Sequence, residues 1–97
     1  MKDQFSRTAQ LMGSEAVARL GGCRAALFGV GGVGGFAAEA MVRAGLGGID
    51  LFDDDVVCAS NLNRQIVALH STLGRPKVEV MRERLLDINP DVDAAAR

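Results

Sequence analysis

Apolar residues in the first half of the chain recur at helical spacing and then gather into short runs. Residues 6–20 predict two short helices separated at Gly13, with Ser14 as the N-cap of the second. The runs at 24–29 and 49–53 are short, apolar and closed by glycine or aspartate, which is typical of strands. The first half of the chain is therefore expected to pass from helices into two strands.

A helix is expected between these two strands, followed after the second strand by a long connection. Residues 32–45 predict the helix, because apolar side chains recur there at helical spacing. Its apolar stripe would consist of Phe36, Ala37, Ala40, Met41 and Ala44. Residues 56–74 predict a connection with one helical turn near 61–68.

The last third of the chain predicts another helix and the start of a third strand. Pro76 would occupy the first position of this helix, which would run to about Ile88. Its apolar stripe would consist of Val78, Met81, Leu85 and Ile88. The final residues, DVDAAAR, would begin the strand. Strands that alternate with helices favour a parallel sheet with right-handed crossovers, so the predicted fold class is α/β.

Length, charge and composition narrow the classes of protein that remain. The 97 residues allow a single domain, and 11 lysines and arginines against 12 aspartates and glutamates give a net charge of -1. This balance offers no basic excess for binding a nucleic acid backbone. Two cysteines without a CxxC spacing predict a reduced, cytoplasmic protein. No apolar run approaches the roughly 18–20 residues that span a bilayer, so no membrane contact is expected.

The chain is short for the fold that its pattern predicts. A chain of this length buries only roughly 60–65% of its unfolded surface. Two or three parallel strands leave one face of their sheet uncovered, although parallel sheets need cover on both faces. We therefore expect residues 1–97 to be the N-terminal part of a larger domain, with no second domain in this chain, and we expect the chain to self-associate.

The segment GVGGVGG stands between the first predicted strand and the helix that follows it. Gly29, Gly31 and Gly34 fit the pattern G-x-G-x-x-G. In that pattern the first glycine allows a tight turn, the second lets the backbone approach a phosphate, and the third lets helix pack on strand. Asp53 ends the second strand, where an acid can bind the hydroxyls of a ribose. A turn used only for packing is the alternative, but strand, helix and acid together favour a nucleotide-binding, Rossmann-like sheet.

Basic residues follow the second strand at two places. Arg64 lies in the sequence NLNRQ, and Arg75 and Lys77 lie in GRPK. Lys77 would stand in the first turn of a helix, where the helix dipole disfavours a cation and a bound polyphosphate would offset that effect. Two alternatives stay open. Arg64 would form an ion pair with Asp54 or Asp55, and Arg75 and Lys77 would be solvated side chains.

Five segments together resemble one superfamily of ATP-using enzymes. They are GVGGVGG at 29–35, LFDDDVV at 51–57, SNLNRQ at 60–65, GRPKVE at 74–79 and INP at 88–90. The combination is similar to the ubiquitin-activating-enzyme-like adenylyltransferases, which include the activating enzymes of the thiamine and molybdopterin sulfur carriers. FSRTAQLMGSEAV, AAEAMVRAGLG and the VC-x-x-N-x-NRQI pattern look most like the tRNA threonylcarbamoyladenosine dehydratases of that superfamily.

The resemblance implies that ATP is bound and gives each matching residue a role. Asp53 would bind the ribose. Arg64 and Lys77 would be the catalytic residues, because they would stabilise charge while a carboxylate attacks the α-phosphate. The phosphates would be carried on the backbone of four glycines, namely Gly29, Gly31, Gly32 and Gly34.

The resemblance also implies further pocket residues and partners. Asp55, Asn61 and Gln65 would line the same pocket. Arg7 would reach into the site of a partner subunit in a homodimer. Mg²⁺ would accompany ATP, but its ligand would lie after Arg97, so no metal ligand is expected in this chain. The substrate would be a tRNA, and sulfur-transfer proteins are candidate partners.

The chain departs from the family's pattern at one position, and its other reactive side chains are given no role. Val67 stands where the dehydratases often have histidine, and the single histidine, His70, is interpreted as a surface or loop residue. Cys58 follows two valines and is interpreted as a packed small apolar residue rather than a nucleophile. Cys23 is interpreted as a loop or strand-edge residue, and any catalytic cysteine is expected after Arg97.

Three functions remain after this reading. The first is ATP-dependent dehydration of threonylcarbamoyladenosine in tRNA, which follows from the resemblance alone. The second is adenylation of the C-terminus of a ubiquitin-like sulfur carrier. The third is an NAD(P)-dependent oxidoreductase, which would use the same glycines and acid. Arg64 and Lys77 speak against the third function, because hydride transfer releases no pyrophosphate that cations would stabilise.

Overall fold

Four helices, three strands and three short 3-10 turns make up the described part of the chain. The computed structural model describes residues 3–97, with side chains from Gln4 onward. The helices are α1 (Ser6–Met12), α2 (Ser14–Gly21), α3 (Val33–Ala44) and α4 (Lys77–Ile88). The strands are β1 (Arg24–Phe28), β2 (Gly48–Phe52) and β3 (Asp93–Ala96). The 3-10 turns are Asp3–Phe5, Ala59–Asn61 and His70–Thr72.

The three strands form one parallel sheet in the order β1-β2-β3. Ala25 is paired with Ile49 in the first ladder, and Ile49 is paired with Ala94 in the second. Helix α3 connects β1 to β2, and α4 lies in the connection from β2 to β3. The predicted α/β class, the adjacent parallel strands and the third strand are confirmed. Within residues 3–97, no helix has the length and apolar character that crossing a membrane requires.

The core lies between one face of the sheet and the helices α3 and α4. Ile49 and Leu51 are fully buried on that face, because alternate residues of a strand point to the same side of a sheet. Of the stripe predicted for α4, Met81 and Leu85 are fully buried and Val78 is buried. Ile88, the last member of that stripe, is only partly buried against the core.

The opposite face of the sheet carries charged and aromatic side chains. Arg24 donates to Asp50 at 2.8 Å and to Asp93 at 2.6 Å, so that one guanidinium bridges all three strands. Phe28 and Phe52 stack with ring centroids 4.6 Å apart. Phe28 is 76% exposed, so the described residues leave this end of the face open to solvent.

The buried face of α3 differs from the predicted stripe. The buried residues are Gly35, Ala38 and Val42, whereas Phe36 is 55% exposed. Alanine occurs on every side of this helix and therefore marks no face. Glycine and alanine face the sheet because the helix lies close to it, and the bulkier Phe36 points outward.

Smaller differences concern the ends of helices. The break at Gly13 is confirmed, but Gly13 itself is the N-cap of α2, and Ser14 is its first helical residue. Pro76 likewise precedes α4 as its N-cap instead of opening it. The connection holds two 3-10 turns, and the single helical turn expected within 61–68 is present at 61–65, where the N–H of Gln65 donates to the carbonyl of Asn61 at 2.9 Å.

Candidate nucleotide site

The glycine loop turns sharply at the end of β1. The N–H of Gly29 donates to the carbonyl of Phe52, 2.7 Å away, which extends the pairing of β1 with β2 by one bond. Gly29 and Gly32 have φ angles of 92° and 52°, in the left-handed region that side-chain-bearing residues rarely adopt. Gly29 therefore makes the predicted tight turn, and Gly32 is required by a second one that leads into α3.

Two glycines in the first turn of α3 lie against the backbone of the loop. An added Cβ at Gly34 would stand 1.9 Å from the carbonyl oxygen of Gly29. One at Gly35 would stand 2.6 Å from the carbonyl oxygen of Val30. Helix α3 consequently starts directly at the end of β1, and its first N–H groups lie at the carboxyl edge of the sheet, where an anion is bound favourably.

The second glycine of the motif contacts the connection that follows β2. An added Cβ at Gly31 would lie 2.8 Å from the amide atoms of Gln65, and one at Gly35 would lie 2.7 Å from Ile66. Oε1 of Gln65 is buried and has no hydrogen-bond partner within the described chain. Residues 65–66 therefore pack against the glycine loop and the first turn of α3. Glycine within a helix suggests that another segment packs closely against it, so Gly35 was a signal in the sequence for this contact. Nothing in the sequence indicates that Ile66 is the residue that packs there.

Asp53 connects the end of β2 to the glycine loop. Its Oδ2 accepts a hydrogen bond from the N–H of Val30 at 3.0 Å, and its Oδ1 accepts one from the N–H of Asp55 at 2.9 Å. Each carboxylate oxygen has a second lone pair. The acid therefore holds the loop in place and keeps acceptor capacity for a ribose hydroxyl.

The long connection is closed at its base by a short antiparallel ladder, here called the base ladder. The N–H of Val57 donates to the carbonyl of Arg75 at 2.9 Å, and the N–H of Lys77 donates to the carbonyl of Asp55 at 3.0 Å. Val56 and the residue before Lys77 form an isolated antiparallel bridge between these two bonds. The base ladder places the start of α4 beside the end of β2.

Asn61 organises the part of the connection that carries the other candidate residues. It is buried, and its Oδ1 accepts a hydrogen bond from the N–H of Cys58 at 2.9 Å. Its backbone carbonyl accepts from the N–H groups of Arg64 and Gln65, at 3.1 and 2.9 Å. The side-chain oxygen of Asn61 thus supports the connection, which leaves its amide nitrogen for a ligand.

Arg64 is exposed and is held by its own connection. Its Nη1 donates to the carbonyl of Ser60 at 3.0 Å and to Oδ1 of Asn63 at 2.9 Å. Within residues 3–97 it forms no ion pair with Asp54 or Asp55, so that alternative is wrong. The guanidinium keeps donors that face solvent.

The two cations around Pro76 have different surroundings, and the alternative that both are solvated is wrong. Arg75 pairs with Glu83, and this hydrogen bond raises the pKa of Arg75 and lowers the pKa of Glu83. Lys77 is buried in the first turn of α4, with Asp55 as its ion-pair partner at 3.9 Å. Of these two cations, Lys77 is therefore the one whose side chain has no direct hydrogen bond to an acid within residues 3–97.

Arg7 is not brought to the other candidate residues. It is exposed on α1, a helix with no buried residue that lies against α2 and the 3-10 turn before it. The chain is elongated, with extents of 42 × 22 × 20 Å. A role for Arg7 in the site of its own chain has no support in this arrangement.

The remaining reactive side chains are exposed. Cys58 and Cys23 are both free and exposed, so the interpretation of Cys58 as a packed residue is wrong. Val57 takes the buried position beside it, at 2% exposure, and the chain turns Cys58 outward before the 3-10 turn. His70 is exposed at the start of its 3-10 turn, as expected. The carboxylates of 53–55 come within 4.8 Å of one another, but two of the three are exposed.

Comparison with known proteins assigns this arrangement to a family. A model of the ThiF family matches residues 5–97. The chain belongs to the ThiF family. The resemblance to the ubiquitin-activating-enzyme-like adenylyltransferases is thereby confirmed at the level of the family.

Similar ThiF-family proteins include a dehydratase and an adenylyltransferase. The tRNA threonylcarbamoyladenosine dehydratase of Bacillus subtilis (strain 168) is 49% identical over 96 residues, which are 99% of this chain and 38% of the relative. The sulfur carrier protein ThiS adenylyltransferase of Escherichia coli (strain K12) is 43% identical over 70 residues, 72% of this chain and 28% of that relative.

A solved structure of this family carries a nucleotide. The E. coli tRNA N6-threonylcarbamoyladenosine dehydratase in complex with ATP is 44% identical, with a TM-score of 0.94 over 97% of this chain and 39% of that one. The same enzyme has been solved in complex with AMP. The chain spans well under half the length of each of these relatives.

Proposed function

We propose that this chain forms the nucleotide-binding part of an enzyme that uses ATP to adenylate a carboxylate. The observation that carries the proposal is the meeting of three features at the carboxyl edge of the sheet. The glycine loop opens α3, Asp53 is bonded to that loop, and Lys77 is bonded through its backbone to Asp55. An anion-binding helix start, an acceptor for ribose and an available cation are what an adenylating site needs.

In the proposed reaction an oxygen of the substrate carboxylate attacks the α-phosphorus of ATP. A bond forms between that oxygen and phosphorus, the bond from phosphorus to pyrophosphate breaks, and an acyl-adenylate results. Negative charge increases on the α-phosphate and on the departing pyrophosphate. Arg64 and Lys77 stabilise this charge, and the N–H groups of the glycine loop hold the phosphates. Asp53 accepts the ribose hydroxyls.

The remaining candidate residues complete the proposed pocket. Asn61 offers its amide nitrogen, because its oxygen already accepts from the backbone of Cys58. Gln65 offers a buried oxygen with no partner among the described residues. Arg7 enters the site of a second copy of the chain in a homodimer, which its exposed position on α1 allows.

We propose threonylcarbamoyladenosine in tRNA as the substrate. The dehydratase match extends over almost the whole chain, whereas the match to the sulfur-carrier adenylyltransferase covers 72% of it. The threonyl carboxylate would be adenylated, and a nucleophile within the same modified base would then close a ring with release of AMP. The net change in the substrate is the loss of water. A sulfur carrier and its sulfur-transfer partners are the alternative substrate class.

Mg²⁺ normally accompanies ATP in such reactions. The acidic residues at 53–55 do not enclose a site for it. Asp54 and Asp55 are exposed, and the free lone pairs of Asp53 are the ones that the proposal assigns to the ribose. We assign no step to the ion, whose protein ligand the family resemblance would put after Arg97.

The test is exchange of labelled pyrophosphate into ATP by the complete protein. We expect exchange that depends on tRNA carrying threonylcarbamoyladenosine and does not occur with unmodified tRNA or with a sulfur carrier. Arg64→Ala and Lys77→Ala should each lower kcat/KM at least about tenfold, since a charge-assisted contact contributes roughly 1.5–3 kcal/mol. Arg19→Ala, at an exposed position on α2, is the matched loss of a cation.

Three outcomes would contradict this function. Full activity in both the Arg64 and the Lys77 variants would remove the proposed catalytic roles. Exchange that depends on a sulfur carrier would favour the alternative substrate. Binding of NAD with no binding of ATP would favour the oxidoreductase.

A further inference from the structure

Lys77 is a buried cation whose ammonium forms no hydrogen bond within the described chain. Its side chain is 7% exposed, and Nζ lies 3.9 Å from Oδ2 of Asp55. Direct bonds between an ammonium and a carboxylate are about 2.7–2.9 Å long. The carboxylate therefore attracts the ammonium without occupying its three donors, which remain for another anion.

The backbone keeps this pair in register. The N–H of Lys77 donates to the carbonyl of Asp55 at 3.0 Å, as part of the base ladder. The bond uses the main chain of Asp55, whose side chain is 71% exposed. The backbone bond thus holds the main chains of the two residues side by side, and their side chains interact only through charge.

The position of Lys77 is unfavourable for a cation without a neighbouring anion. The first turn of a helix carries a partial positive charge, which repels an ammonium. Burial removes much of the water that would otherwise solvate it. A lysine in such a place tends to extend its long side chain toward water unless an anion holds it.

We propose that Asp55 is a positioning residue, whose carboxylate holds the Lys77 ammonium inside the site until the phosphates of ATP replace it. This inference rests on the proposed function. The other acids of the cluster do not take this role. Asp53 is bonded to the backbone of Val30, and the side chain of Asp54 has no hydrogen bond or ion pair within residues 3–97.

The test compares Asp55→Asn with the matched control Asp54→Asn, which removes the same charge one residue away. We expect Asp55→Asn to lower kcat/KM for ATP in pyrophosphate exchange about tenfold, and Asp54→Asn to change it less than about twofold. Asp55→Glu should recover most of the activity. The melting temperature of Asp55→Asn should fall only slightly, because the base ladder uses only the backbone of Asp55 and the Lys77 side chain can extend toward water.

A double-mutant cycle separates positioning from any other role of the carboxylate. If Asp55 acts through Lys77, then Asp55→Asn should have no further effect in a Lys77→Ala protein. An equal loss in both backgrounds would show that Asp55 acts independently, and the proposal would be wrong. Equal activity of the Asp55 and Asp54 variants would also overturn it.

The same measurements distinguish failure of this inference from failure of the proposed function. If the wild type exchanges pyrophosphate and Lys77→Ala does so at least about tenfold less efficiently, the function stands, and the Asp55 and Asp54 variants with the double-mutant cycle decide the inference. If the wild type shows no exchange with any substrate tested, the function itself fails.

Discussion

The amide group of Gln65 lies so close to Gly31 that an added Cβ at that glycine would stand 2.8 Å from its atoms. The sequence interpretation explained Gly31 by the approach of a phosphate. The contact is a second reason why position 31 requires glycine, since a side chain there would displace the connection that carries Arg64 and Gln65. The glycine loop and this connection therefore form one packed unit.

Gly31→Ala is expected to destabilise the protein and to weaken its use of ATP. Overpacking of this kind costs about 1–3 kcal/mol. Gly21→Ala is the control, because Gly21 has no positive φ and an added Cβ there meets nothing within 4 Å. Denaturant midpoints and KM for ATP measure both effects. Adding Gln65→Ala to Gly31→Ala should restore most of the stability, and no recovery would mean that the contact is not the cause.

Asp53→Asn is expected to loosen the glycine loop. The asparagine amide would present N–H groups where one carboxylate oxygen now accepts, so one of the two backbone bonds from Val30 and Asp55 would be lost. Loss of a buried or part-buried bond of this kind costs about 1–3 kcal/mol. Hydrogen exchange measured at the amide of Val30 should become faster. The amide of Ile49, which lies within the sheet, is the reference for global unfolding. Its exchange should become faster only by the amount that the loss of overall stability explains.

The ion pairs on the open face of the sheet predict a dependence on pH. The hydrogen bond from Arg24, helped by Arg97, holds the pKa of Asp50 well below its ordinary value. A carboxyl with a lowered folded-state pKa stabilises the fold above its unfolded pKa, near about 3.9, and that stabilisation is lost as pH falls through the folded value. Asp50→Asn should therefore lower the melting temperature at neutral pH.

The difference between wild type and Asp50→Asn should narrow as pH falls below about 4. Thermal unfolding followed by circular dichroism measures it. Asp54→Asn serves as the control, because its carboxylate has no ion pair among the described residues. A difference that stays constant into strong acid would exclude the charge of Asp50 as its origin.

The proposed role of Arg7 predicts that two inactive variants complement each other. In a mixed dimer of Arg7→Ala and Lys77→Ala subunits, one site would contain both side chains. An equal mixture that reassorts at random should recover about one quarter of the wild-type activity, because half of the dimers are mixed and each has one intact site. Sedimentation of each variant and of the mixture should show a dimer. Two active single variants, or no recovery in a mixture of dimers, would contradict the proposal.

Local patterns in the sequence were sufficient to predict the order of the helices and strands and part of the candidate site. Both strands, the helix break at Gly13 and the buried stripe of α4 follow from spacing that lies within a single element. The tight turn at Gly29 and the acid at the end of β2 follow from residue types beside those elements. Each of these features depends on neighbours in the chain, which the sequence displays directly.

Contacts between distant segments were decided only by the tertiary structure. The face of α3 that is buried, the partners of Arg64, the exposure of Cys58 and the burial of Lys77 all depend on how the connection after β2 returns to the sheet. Gln65 reaches Gly31 because the base ladder closes that connection. The distance between these two residues cannot be predicted from their spacing along the chain. The sequence by itself determined which residue types the candidate site offers, and the packing of the connection on the glycine loop determined where those residues lie.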